Sequence, residues 1–183
     1  MKKLLFIIPA LFFQTMQAQQ KEPLKFNDKG EFKIVQFTDV HFKYKNPASD
    51  VALECIDRVL DAEKPELVIF TGDVVYNSPA DTAMITVLSH VSKRNIPFVV
   101  TLGNHDDEQN LTREQLYNVA RSVKGNIQPD NQTDFVLRVN SKDKEDALLY
   151  VFDSHSYSKL PNVKGYDWIK ASQIEWYRQL SKK

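Results

Sequence analysis

Residues 97–106 read PFVVTLGNHD, an apolar, β-prone run that breaks abruptly into Gly-Asn-His-Asp. Pro97 to Leu102 is expected to form a buried strand that Gly103–Asn104 ends. The same construction recurs twice upstream. Residues 67–73 read LVIFTGD, and residues 32–41 read FKIVQFTDVH. Between the first two runs, Ser49–Asp50 is a helix-start signal. Val51, Leu53, Cys55, Ile56, Val59 and Leu60 follow mostly at helical spacing, and Pro65 closes the segment. A second helix is expected from about Pro79 to Arg94, with Met84, Ile85, Leu88 and Val91 on one face. A weaker third is expected over Glu114 to Val123. Apolar strands separated by helices imply parallel β-α-β units buried on both faces.

The pattern changes beyond residue 130. Phe135 to Val139 and Ala147 to Phe152 flank the charged stretch Ser141 to Asp146, which predicts a hairpin. Ser172 to Leu180 predicts a last helix, with Ile174, Tyr177 and Leu180 at helical spacing. The fold class is therefore α/β: a β-α-β-α-β core with parallel strands, then a β-hairpin and a terminal helix.

The first eighteen residues have a different character. Lys2 and Lys3 precede an apolar run from Leu4 to Phe13, and polar sequence begins after Ala18. That composition describes a secretory signal peptide over 1–18 and a protein exported to the periplasm or the outside. The run is too short for a membrane-spanning helix, which needs roughly 20 residues, so no stable membrane anchor is expected. A folded domain is expected over 26–183. The chain has 183 residues, 26% of them charged, with a formal net charge of +0. That balance argues against a nucleic-acid partner. Cys55 is the only cysteine and is expected to be a small buried hydrophobe. His90 is expected on a helix surface.

Three loops carry the unusual polar residues: Asp39-Val40-His41, Gly72-Asp73 and Gly103-Asn104-His105-Asp106. Each follows an apolar strand directly. Neighbouring parallel strands end at one edge of the sheet, where open α/β sheets bind ligands, so the loops should converge. Carboxylate and imidazole together suit divalent or trivalent ions such as Mn, Fe or Zn. In an extended Asp39-x-His41 segment, both side chains would point the same way, toward one ion. A carboxylate at Asp73 could bridge two ions. Gly72 and Gly103 would allow the tight turns, and Asn104 would offer a neutral carbonyl oxygen.

Taken in order, these motifs resemble the calcineurin-like metallophosphoesterases, whose pattern begins Asp-x-His, Gly-Asp, Gly-Asn-His-Asp/Glu. The stretches FTDVHF, VIFTGDVVYNS, VVTLGNHDDE, LYVFDSHSYS and GYDWIKASQIEWY are similar to its purple-acid-phosphatase-like branch. The resemblance implies that Asp39 and His41 bind a first metal, Asp73 bridges, and Asn104 binds a second. It implies that His105 donates a proton or stabilises the phosphoryl charge, with Asp106 orienting it. The implied reaction is hydrolysis of a phosphomonoester or phosphodiester substrate by a hydroxide on a dinuclear centre. The family pattern continues with a separate His and a Gly-His-x-His motif that have no counterpart here. The expectation is therefore the front part of the family's sandwich fold, with an incomplete second metal site. His155, in Asp153-Ser154-His155, is the candidate contact at the edge of the site, to substrate or to a metal; read otherwise, it is a plain loop histidine. The alternatives to an active phosphoesterase are an inactive fragment and an exported metal-binding protein without catalysis.

Overall fold

A computed structural model of the chain describes residues 23–142 and 146–182. The leader-like segment and the middle of the charged turn lie outside them. The described residues form β1 (Ile34–Phe37), α1 (Pro47–Glu63), β2 (Leu67–Thr71), α2 (Ala80–Ser92), β3 (Phe98–Thr101), α3 (Arg113–Ser122), β4 (Phe135–Val139), β5 (Ala147–Val151) and α4 (Ala171–Leu180). A 3-10 turn spans Asp106–Glu108, ahead of α3. No helix among the described residues is long and apolar enough to cross a membrane.

Strands β1, β2 and β3 form one parallel sheet in that order, with Gln36 opposite Ile69 and Ile69 opposite Val99. Side chains alternate across a strand, and here both faces are apolar. Val68, Phe70, Phe98 and Val100 point into a core shared with α1, α2 and α3. Leu67 and Val99 point the other way, into a second core with Phe135, Leu137, Val139 and Val151 from the antiparallel pair β4–β5. Leu24, ahead of the expected domain start at 26, packs in this second core. Each fully buried side chain of this kind contributes about 1.5–3 kcal/mol by leaving water. Strand β1 departs from the expectation of two buried faces, since Ile34 and Gln36 are exposed at the sheet edge.

The helix faces also differ in detail. Asn46 caps α1 by accepting from the Ala48 amide, and Lys64 ends it in the left-handed conformation. Ile56 and Leu60 are the buried residues of α1, one turn apart. Cys55 lies one residue off that line and is exposed, which corrects the expectation of a buried thiol. On α2, Met84, Leu88 and Val91 face inward as expected, whereas Ile85 is exposed. His90 is half-buried rather than on the open surface, because its Nδ1 lies 2.8 Å from Asp57 of α1. On α4 the buried residue is Gln173, while Ile174 and Tyr177 are exposed. Gln173 Nε2 donates to Asp134 Oδ1 and to the Asp153 carbonyl, each at 2.8 Å. Those acceptors turn its amide inward.

Candidate metal centre

The three strand-end loops converge at the carboxyl edge of the parallel sheet. The first locks onto the second by continuing the strand pairing. Asp39 N donates to the Gly72 carbonyl at 3.1 Å, His41 N to the Asp73 carbonyl at 2.9 Å, and Phe42 N to the Val74 carbonyl at 3.0 Å. The third locks onto the second through Asp106, which is fully buried. Its carboxylate accepts from the amides of Asp73, Val74, Val75 and Gly103 at 2.8–2.9 Å. Burial raises the Asp106 pKa, and the Val75, Gly103 and Val74 amides work against that rise.

Gly72 and Gly103 meet where these loops cross. Gly72 has φ +103°, and a Cβ there would lie 2.9 Å from Gly103 Cα. A Cβ on Gly103 would lie 2.0 Å from Asp73 Oδ1, so no larger residue fits without displacing that carboxylate.

Asp39, His41 and Asp73 each present one ligand atom, all within 4.8 Å of one another. His41 Nε2 lies 3.6 Å from Asp39 Oδ1 and 3.7 Å from Asp73 Oδ2. The remaining carboxylate oxygens are used locally. Asp39 Oδ2 accepts from the Thr38 hydroxyl at 2.6 Å, and Asp73 Oδ1 accepts from the His105 amide at 3.0 Å. Two carboxylate oxygens and one imidazole nitrogen grouped in this way fit a hard or borderline divalent ion. The backbone route to this grouping is not the extended one expected. Asp39, His41 and Asp73 have φ of 53°, 47° and 53°. Left-handed turns rather than a pleat aim them at one point.

Asn104 and His155 line one cleft with Asp39 and Asp73, together with Ser154, Ser156 and Tyr166. Asn104 Nδ2 donates to the Tyr157 hydroxyl at 2.8 Å. His155 also has positive φ, 67°, and its Nε2 lies 3.3 Å from Gln173 Oε1. Arg113 ties this side of the cleft to the third loop by donating to the Gly103 carbonyl at 2.6 Å and to Asp153 Oδ1 at 2.5 Å. Asp153 Oδ1 in turn accepts from the His155 amide at 2.8 Å.

His105 stands beside the ligand group, its ring 5.3 Å from that of His41. Its partner is not Asp106. His105 Nδ1 lies 2.7 Å from Glu108 Oε2, one turn along the 3-10 segment. That hydrogen bond raises the His105 pKa. Asp106 is committed instead to four backbone amides, so the expectation that it orients His105 is corrected.

Three further residues belong to the site, and two of them, Tyr76 and Tyr157, carry no signal that a motif reading detects. Tyr76 packs its ring 5.1 Å from His41 and 5.0 Å from His105. Tyr157 donates to Glu108 Oε1 at 2.5 Å, across a sequence separation of 49 residues. Glu108 alone was findable, from its position three residues after His105 in a turn-forming stretch.

The family model of calcineurin-like phosphoesterase matches residues 32–182. Among curated relatives, "Probable inactive purple acid phosphatase 29" of Arabidopsis thaliana is 31% identical over 197 residues, which cover 90% of this chain and 51% of the relative. "Phosphatase DCR2" of Saccharomyces cerevisiae is 33% identical over 194 residues, covering 87% of this chain and 34% of the relative. "Probable inactive purple acid phosphatase 14" of Arabidopsis thaliana is 29% identical over 198 residues, covering 88% and 49%. The chain thus spans between a third and a half of the length of these relatives.

Proposed function

The chain belongs to the calcineurin-like phosphoesterase family, and from that premise we propose that it hydrolyses phosphomonoesters or phosphodiesters at the cleft where its three strand-end loops meet. The observation that carries this reading is the grouping of Asp39, His41 and Asp73 ligand atoms within 4.8 Å, with His105 beside it. A Mn, Fe or Zn ion held there supplies Lewis acidity, which neutralises phosphoryl charge and activates water. Asp39 Oδ1, His41 Nε2 and Asp73 Oδ2 would hold it. Asn104, whose amide nitrogen is occupied by Tyr157, keeps its carbonyl oxygen for a second ion. The Nδ1–H bond to Glu108 favours the protonated ring, and in that imidazolium form His105 carries a second proton on Nε2 that it can deliver to the leaving oxygen. His155 lines the same cleft and is placed to touch the substrate.

A second reading is a metal-binding relative without turnover, favoured by two relatives whose names carry the word "inactive". Hydrolysis of p-nitrophenyl phosphate and of its diester by the purified chain decides between them. Mn, Fe and Zn are added in turn, with Asp73→Asn as control. The first reading expects metal-dependent turnover that the control loses. A folded, metal-loaded chain without turnover rejects it in favour of the second.

The leader-like composition of residues 1–18 supports a site of action outside the cytoplasm. A mature N-terminus at Gln19 is the expected result of N-terminal sequencing; an intact Met1 on exported protein removes the proposal.

A further inference from the structure

The polar chain behind the cleft has a direction. Glu108 presents two carboxylate oxygens, and each is used. Oε2 lies 2.7 Å from His105 Nδ1, and Oε1 accepts from the Tyr157 hydroxyl at 2.5 Å. The Tyr157 oxygen then accepts from Asn104 Nδ2 at 2.8 Å. An ionised carboxylate only accepts, so it forces donors onto both neighbours. His105 must carry a proton on Nδ1 whether the ring is neutral or protonated, and Tyr157 must spend its single proton on Glu108. The tyrosine oxygen is then left as an acceptor, and Asn104 must offer it the amide nitrogen. The consequence is that the Asn104 carbonyl oxygen, not its NH2, is free for the cleft. Without Glu108, Tyr157 could donate to the Asn104 oxygen instead, and the amide would turn its NH2 toward the cation.

Tyr157 is held in place from outside this chain of bonds. It bridges to Tyr166 across a tight antiparallel contact, where Ser158 N donates to the Gly165 carbonyl at 2.9 Å and Asp167 N to the Ser156 carbonyl at 3.0 Å. The Tyr157 and Tyr166 rings stack at 5.8 Å and 23°. The hydroxyl is therefore presented to Glu108 and Asn104 by a fixed ring.

We propose that Glu108 is a positioning residue that sets two groups of the site at once: the tautomer of His105 directly, and the orientation of the Asn104 amide through Tyr157. This rests on the reading of Asn104 as a metal ligand and of His105 as the proton donor.

Two variants separate the limbs, with two readouts that need no substrate. One is the long-range 1H–15N spectrum of the His105 ring in the metal-free chain, at a pH where that ring is neutral. The other is calorimetric titration with Zn2+ alone. Tyr157→Phe keeps the ring and its stack. It should weaken binding of the second Zn2+, the one Asn104 would hold, by about 10-fold, the usual scale for losing a partner of a metal ligand, and leave His105 in its Nδ1–H form. Glu108→Ala should weaken binding of that second Zn2+ by about 10-fold or more and also release His105 into a mixture of tautomers. Unchanged affinity for the second Zn2+ in Tyr157→Phe overturns the proposal, as does an unchanged tautomer in Glu108→Ala. Equal loss of the Nδ1–H form in both variants also overturns it, since general loosening would produce that. If Glu108→Ala does not fold, Tyr157→Phe decides alone. A wild-type chain that binds no Zn2+ sinks the metal-site reading, while the tautomer comparison still judges the direct limb. Absent turnover with these shifts intact sinks only the hydrolytic reading.

Discussion

Asp39, His41 and Asp73 share a backbone conformation that side chains other than glycine seldom adopt. Each costs on the order of 1–3 kcal/mol, and such residues persist only where the surroundings over-determine them. Here the surroundings are the amide bonds between the first two loops and the four amides gathered by Asp106. Asp106 thus acts as a buried peg under the centre, not as a partner of His105. Asp106→Ala would leave the amides of Asp73, Val74, Val75 and Gly103 without their acceptor. Each buried orphan costs about 1–3 kcal/mol, so a loss of at least ~3 kcal/mol is expected in denaturant unfolding, with metal binding lost too. Near-wild-type stability in that variant would contradict the peg role. Gly103 has the companion role of leaving room for the Asp73 carboxylate, so Gly103→Ala should push that carboxylate aside and weaken metal binding.

Among the elements, α1 and α2 are joined by an ion cluster in addition to apolar packing. Arg94 donates to Asp61 Oδ1 at 2.7 Å and to Asp57 Oδ1 at 2.6 Å, and His90 shares Asp57. Burial raises the Asp57 pKa, but the bonds from His90 and Arg94 outweigh it, and the folded value lies below the ordinary 3.8. A depressed carboxylate pKa contributes stability above the ordinary value and loses it as the pH falls through the folded one. Asp57→Asn should therefore destabilise the chain at neutral pH and be neutral in strong acid. Asp57 is 35% exposed, so screening limits the effect to under about 1 kcal/mol. Chemical denaturation at both pH values checks this; an equal loss in acid would mean the contact is not ionic.

The same elements mark how far a sequence reading reaches. The strands and hairpin were legible because apolar runs end sharply at Gly-Asp, Gly-Asn and charged turns. Convergence of Asp39, Asp73 and Asn104 on one cleft follows from parallel order alone. The helix faces were legible only to within a residue: Cys55 and Ile85 each sit one position away from a buried neighbour. Periodicity could not foresee that Gln173 would turn inward on α4, because its acceptors, Asp134 and the Asp153 carbonyl, arrive from other elements. The same holds for Tyr157, whose place at Glu108 is set by a bridge to Tyr166. The left-handed turns at the ligands had no local signal either, since none of the three is a glycine.

At the scale of the molecule, a three-stranded parallel sheet lies between a helical layer and an antiparallel pair, and apolar cores seal both faces of β2 and β3 while the edge strand β1 leaves Ile34 and Gln36 exposed. That construction makes the carboxyl edge a rigid rim. Loops on a rigid rim can hold three ligand side chains in a conformation they would not choose alone. The central claim is that Asp39, His41 and Asp73 form a metal site there. It is tested most directly by anomalous diffraction from crystals of the chain soaked in Mn2+, with Asp73→Asn crystals treated alike. The account predicts a manganese peak within coordination reach of Asp39 Oδ1, His41 Nε2 and Asp73 Oδ2, absent or strongly reduced in the variant. A peak elsewhere, or an equal peak in Asp73→Asn, would contradict it.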